Sequence, residues 1–441
     1  MKNLIKLIPL TIFAGFIFAS CEGPMGPTGA AGKDGVDANQ TCKLCHNSTV
    51  VEEKALQFEF SKHSYGEAAF SESGNTGCAP CHAQAAFQAV VANNTPVTFT
   101  LNAGTGKYSN DYAAPADKAY GELGCPTCHV NLHTSYTDAD FFPLTTTAAV
   151  PMTMWAGTKI INLTQDNSKS NLCIKCHQPR PFTASNTDGN VIDYVSLATN
   201  KTDIFYDSTA ANMATNKIKV GYRTHTHYGT VGAICAGMGG VEFSGSLPYQ
   251  NSAHATVASC QDCHMADVNG RAGGHTFSVI GNFNGCNVTG CHAVAPISAT
   301  SSGLWLTPRS AIKTMLATLA GKLKQGGVDI MNRNGDATTN LWAGITTNNY
   351  DGYLNVYDPV NNINGPTYNT SSFRNPSTTG FTSAQIATNN GFPKLTLKNV
   401  QMGAIINFQL CLREYSLGIH NFNYTSALLQ NSIDALTSAG F

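Results

Sequence analysis

Fifteen cysteines and thirteen histidines occur in 441 residues, and most of them follow one pattern. Cys42-Lys-Leu-Cys45-His46, Cys78-Ala-Pro-Cys81-His82, Cys125-Pro-Thr-Cys128-His129, Cys173-Ile-Lys-Cys176-His177 and Cys260-Gln-Asp-Cys263-His264 each set a histidine directly after the second of two closely spaced thiols. Two such thiols can add across the vinyl groups of a haem, and the adjoining imidazole is then fixed under the iron as proximal ligand. Zinc would need two cysteine pairs, or one pair with an outlying histidine pair, and gives no reason for His after every second Cys. A redox Cys-x-x-Cys is not expected in five copies on a chain without a βαβ pattern around it.

The stretch Cys286-Asn-Val-Thr-Gly-Cys291-His292 is a longer variant. Its intervening residues are small or flexible, and Gly290 supplies backbone freedom for them to loop out while both thiols reach one haem. It resembles the longer-spaced haem sites of small multihaem cytochromes. The expectation is therefore six c-type haems, five on Cys-x-x-Cys-His and one on Cys-x-x-x-x-Cys-His, with a local disulfide as the alternative at the sixth.

Six proximal histidines leave seven: His63, His133, His225, His227, His254, His275 and His420. A haem iron held by His on one face needs a second axial ligand to be six-coordinate, so these are the distal candidates. His225 and His227 lie two apart, and one of them is the expected surplus. His133 follows His129 by four residues, hence shares its face if the segment is helical, and must then reach a different haem. Cys235 and Cys411 lack a following His; they form a disulfide or remain two buried thiols.

Few regular elements are expected to position these groups. Ile312, Met315, Leu316, Leu319 and Leu323 lie at helical spacing within residues 309–324. Residues 325–395 are rich in Asn, Thr, Gly and Pro and read as loops with short strands, while 397–415 and 423–437 read as amphipathic helices. The fold class is expected to be mainly α with much irregular coil, in a multihaem architecture whose covalently bound haems form the core. Residues 41–300 would form the hexahaem region, and 301–441 a loop-rich and helical C-terminal region packing on it.

The N-terminus carries export features. Lys2 and Lys6 accompany an apolar run, Leu7–Phe18, too short to span a bilayer, so residues 1–20 read as a signal peptide. Phe18-Ala19-Ser20-Cys21 resembles a lipobox, with Phe in place of the usual Leu; Cys21 would be acylated, or else free or disulfide-bonded after nearby cleavage. Residues 23–37, within a 21–40 spacer, are five Gly-X-Y triplets: an extended arm of roughly 45 Å, or a collagen-like trimerising stalk. Charged residues make up 12% of the chain, against about 25% in average proteins, and the net charge is −1. No basic patch with interleaved aromatics points to nucleic acid.

The stretch His227–Met265 with the following GGHTF, and later SLGIHNFNYTSALLQNSIDAL, resemble multihaem c-type cytochromes of the group that includes nitrite- and hydroxylamine-type enzymes and respiratory carriers. The resemblance covers roughly a quarter of the chain and implies His254, His275 and His420 as distal ligands and His264 as proximal. It implies electron transfer in an anaerobic-respiratory or extracellular chain, with redox partner cytochromes or an extracellular acceptor. The protein would be lipid-anchored to the outer membrane, on the cell surface or the periplasmic face. Two alternatives stay open. One is a reductase with one five-coordinate haem, although the nitrite reductases commonly replace a motif His by Lys and every motif here ends in His. The other is a homo-oligomer or filament protomer that ligates a neighbour's haem.

Overall fold

The structure is a computed structural model. It describes residues 42–43, 45–47, 49–66, 72–95, 98–103, 107–110, 112–181, 192–207, 220, 224–325, 328–333, 350–354 and 396–441. The expected signal peptide, Cys21 and the Gly-X-Y spacer lie outside these residues.

Short helices accompany most of the cysteine motifs. They are α1 (Val51–Glu59), α2 (Ala79–His82), α3 (Gln84–Ala92), α4 (Cys125–Cys128), α5 (Ser170–Cys176) and α6 (Cys260–His264). Pro80 and Pro126 sit in the first turns of α2 and α4, where a fixed φ suits the helix and no N–H is missed. Helix α6 is closed by a reciprocal cap: Asp262 N donates to Ser259 Oγ at 3.2 Å, and Ser259 N to the Asp262 carboxylate at 2.7 Å. A single helical turn thus brings both thiols and the histidine of such a motif together.

Three longer helices follow: α7 (Thr307–Lys322), α8 (Asn399–Arg413) and α9 (Phe422–Ser438). Helix α9 packs on both α7 and α8. Helix α8 departs from the expected amphipathic pattern, because all of its residues are buried. Its polar side chains find internal partners instead. Asn407 accepts from Val241 N and donates to Val241 O and Ser432 Oγ, while Gln409 donates to Thr224 O and Gly352 O.

The larger apolar core extends from Val150 to Leu436 and draws on both sides of residue 300. Each of its fully buried leucines, isoleucines and phenylalanines contributes about 1.5–3 kcal/mol. Before residue 150 the buried cluster consists of Ala79, Ala83, Ala86, Ala114 and Ala119.

Strands among the described residues occur as antiparallel pairs: β1 (Phe99–Asn102) with β2 (Lys107–Asn110), β3 (Val150–Pro151) with β4 (Ile160–Ile161), β5 (Ile204–Asp207) with β10 (Thr396–Lys398), β6 (Lys324–Gln325) with β7 (Val328–Asp329), and β8 (Met331–Arg333) with β9 (Tyr350–Leu354). The β5–β10 pair fastens the start of α8 to the earlier chain. No helix among the described residues is long and apolar enough to cross a membrane.

Candidate functional site

Every motif histidine faces one non-motif histidine. The ring centroids lie 5.8 Å apart for His46 and His133, 6.0 Å for His177 and His63, and 6.3 Å for His82 and His227. They lie 6.3 Å apart for His129 and His275, 6.2 Å for His264 and His420, and 6.0 Å for His292 and His254. The thirteenth, His225, stacks on His227 at 6.3 Å and its Nδ1 accepts the His227 N–H at 2.9 Å. His225 is also the histidine that does not border the cavity shared by the other twelve.

Local structure sets each ring. Ser61 caps the short helix Lys62–Tyr65 that carries His63. His133 lies in a turn at φ +62°, not on a helix: α4 ends at Cys128, so the shared helical face expected of His129 and His133 is absent. The two still reach different partners, His275 and His46. Asp140 organises the turn after His133 by accepting from Thr134 N, Ser135 N and Tyr136 N and from the Ser135 hydroxyl. Hydrogen bonding by the Ser135 hydroxyl, then by these amides, holds its carboxyl below the usual range. His275 sits in a tight turn, Gly274–Thr276, and its N–H donates to Gln57 Oε1 at 2.9 Å. Gly274 permits that approach at φ +53°, since a Cβ there would lie 2.2 Å from Gln57 Oε1.

Several rings have an assigned Nδ1 partner. His254 Nδ1 donates to Ile419 O and His264 Nδ1 to Phe277 O, both at 2.8 Å. His420 Nδ1 donates to Glu414 Oε2 at 2.5 Å. His275 Nδ1 and His129 Nδ1 are both buried without a hydrogen-bond partner. Burial lowers His177 to about 4 and His275 to about 4, and burial with the Arg180 charge lowers His227 to about 3. Such rings are neutral near pH 7, which leaves a nitrogen lone pair free for a metal.

The six sites adjoin one another. Thiols of different motifs lie close together: Cys81 with Cys176, Cys173 with Cys260, and Cys263 with Cys286. Phe277 contacts the His63 ring at 5.0 Å and the His275 ring at 5.8 Å while its carbonyl receives His264, so it joins three sites. Residues 419 and 420 likewise serve His254 and His264. These contacts set 264/420 beside 177/63 and 292/254, 129/275 beside 177/63 and 264/420, and 82/227 beside 177/63, while the short His129 to His133 link sets 46/133 beside 129/275. At the last motif, His292 N donates to Cys286 O at 3.0 Å, and Gly290 at φ +88° closes the longer loop.

All twelve motif cysteines and both histidines of every pair line one cavity of about 3640 Å³. Among the described residues no group of three or more His, Cys, Asp or Glu is arranged to hold a metal ion by itself. The remaining thiols, Cys235 and Cys411, are both free and buried, so the disulfide considered for them is not formed. Burial pushes Cys235 up to about 12 and Cys411 upward as well, which leaves both unreactive.

Glu414 was not singled out from the sequence. It stands six residues before His420, a spacing with no regular periodicity, and a turn with positive φ at Tyr415, Leu417 and Gly418 folds it back onto the ring. Compared with family models, curated proteins and solved structures, the chain matches none.

Proposed function

We propose that the chain is an electron carrier that holds six c-type haems, each tethered by one cysteine pair and ligated on both faces by histidine. The observation that carries this reading is the pairing of every motif histidine with one non-motif histidine. Two metal–nitrogen bonds of about 2.0 Å, with half of each imidazole ring added, call for centroids about 6 Å apart. The six separations run from 5.8 to 6.3 Å. Divided among six sites, 3640 Å³ is about 600 Å³ each, within the roughly 300–1,000 Å³ of cofactor pockets.

Other residues fit the same group. Phe60, Phe142, Val257, Ile280 and Leu304 expose apolar side chains on the cavity wall, where a flat apolar group would cover them. Histidine pairs without further protein ligands suit a metal whose other donors come from a porphyrin. When bound, haem iron supplies a one-electron ferric/ferrous couple whose potential its axial ligands tune.

An electron carrier is favoured over the other readings by the same pairs. A nitrite- or hydroxylamine-type reductase needs one iron open to substrate, yet no motif histidine lacks a facing partner. A filament protomer that ligates a neighbour's haem has no need of that neighbour here, because all six partners come from the same chain. Redox partner cytochromes or an extracellular acceptor would exchange electrons with the outermost of these haems. Acylated Cys21 and the Gly-X-Y spacer would hold these haems at the outer membrane, facing the cell surface or the periplasm. Intact mass after expression with haem-attachment machinery tests the reading. Six covalent haems are expected; five would remove the Cys286–Cys291 site, and none would overturn the proposal.

A further inference from the structure

Glu414 is fully buried, yet no lysine or arginine forms an ion pair with it among the described residues. What surrounds its carboxylate is a set of donors. Ser416 Oγ–H donates to Oε2 at 2.7 Å, Gly418 N–H to Oε1 at 3.1 Å, and His420 Nδ1–H to Oε2 at 2.5 Å. Three donors and no acceptor define the ionised form. Arg309 senses the charge only at longer range and stacks on Trp305 instead. Burying an anion is costly unless it is hydrogen-bonded, and here the compensation includes a ring whose other nitrogen faces His264.

Other histidine rings are held differently. His254 and His264 give their Nδ1–H to neutral backbone carbonyls. At the 129/275 site, His275 Nδ1 has no partner at all. A carboxylate on Nδ1–H makes the imidazole a stronger electron donor through its far nitrogen, and a donor-rich ligand favours the more highly charged ferric iron.

Resting on the hexahaem reading, we infer that Glu414 is a positioning and tuning residue that, acting through His420, holds down the reduction potential of the 264/420 site. The reaction concerned is one electron converting ferric to ferrous iron, with no bond made or broken and the proton retained on His420 Nδ1. The site adjoins both 177/63 and 292/254, so a lowered potential makes an uneven step between them.

The test is a spectropotentiometric titration of the holoprotein with dithionite as reductant, on the wild type, Glu414→Gln and Ser416→Ala. Glu414→Gln keeps the size of the side chain and removes its charge. One of the six one-electron components should shift about tenfold toward the ferrous form, which is about 59 mV upward, with the visible spectrum still low-spin. Ser416→Ala leaves the carboxylate with one donor fewer and should move the same component in the opposite direction. A general loosening of the fold would move both variants the same way, and that result overturns the inference. Six haems with no component displaced in Glu414→Gln overturns it while leaving the electron-carrier reading intact; a protein without covalent haem overturns both. If Glu414→Gln does not accumulate, the sign of the Ser416→Ala shift decides.

Discussion

In helices α7 to α9 the interior is filled by the chain itself: Leu316, Leu319, Ile405, Phe408, Leu428 and Leu436 are each at most 2% exposed. Residues 42–149 span more of the chain, but their buried apolar side chains are five alanines with Phe87 and Val90, and much of the remainder lines the large cavity. The first region obeys the ordinary rule that apolar side chains pack on one another at high density. The second is arranged around paired histidines and thiols and leaves a space its own side chains do not fill. On the proposed reading, the difference teaches where each region would draw its stability, from side chains in one case and from bound groups in the other.

The most drastic way to break the comparison is to withhold the cofactor. Expressed without haem-attachment machinery, the chain should lose amide protection throughout residues 42–149 while α8 and α9 keep theirs, as read by hydrogen exchange. Equal protection in both regions would show that the cavity does not depend on what fills it. A core substitution probes the other side. Leu428→Ala should cost about 2–5 kcal/mol in denaturant unfolding and leave the haem absorption bands unchanged. A low-spin to high-spin change in that variant would mean that the two regions are not separable.

A finer cut lies at the edge of the cavity, between neighbours two residues apart. His227→Ala should convert one haem to high spin, whereas His225→Ala should leave all six low-spin, because His225 faces His227, Tyr228 and Tyr353 rather than a motif histidine. The reverse outcome would reassign the 82/227 site.

How far this was legible in the sequence differs between the same two regions. On the hexahaem reading, the motif spacing exposes the thiols and proximal histidines directly, because covalent attachment would demand a fixed local geometry. The proposed distal set was legible mainly as a surplus of seven histidines, since the pairs join residues from 38 to 156 positions apart through tertiary contacts. The separation of His129 and His133 into different pairs follows from their closeness, but a turn at φ +62° achieves it where a helix was expected. Helix α8 was expected to be amphipathic, but tertiary hydrogen bonds bury Asn407 and Gln409, and Arg413 lies over the Tyr228 and Tyr353 rings. Glu414 left no pattern at all, because a four-residue turn with left-handed positions, not helical or strand periodicity, brings it to His420.

The ring planes provide a further division to look for. They lie at 14°, 30° and 14° in the 46/133, 129/275 and 264/420 pairs, and at 74°, 77° and 80° in the 177/63, 82/227 and 292/254 pairs. Near-parallel and near-perpendicular axial imidazoles give distinct low-spin ferric signals. The most direct measurement of the central claim is therefore a quantified electron paramagnetic resonance spectrum of the air-oxidised holoprotein. The account predicts only low-spin ferric haem, totalling six per chain and falling into two classes. A high-spin signal approaching one haem per chain would contradict it, because one iron would then lack the second histidine that the pairing assigns to it.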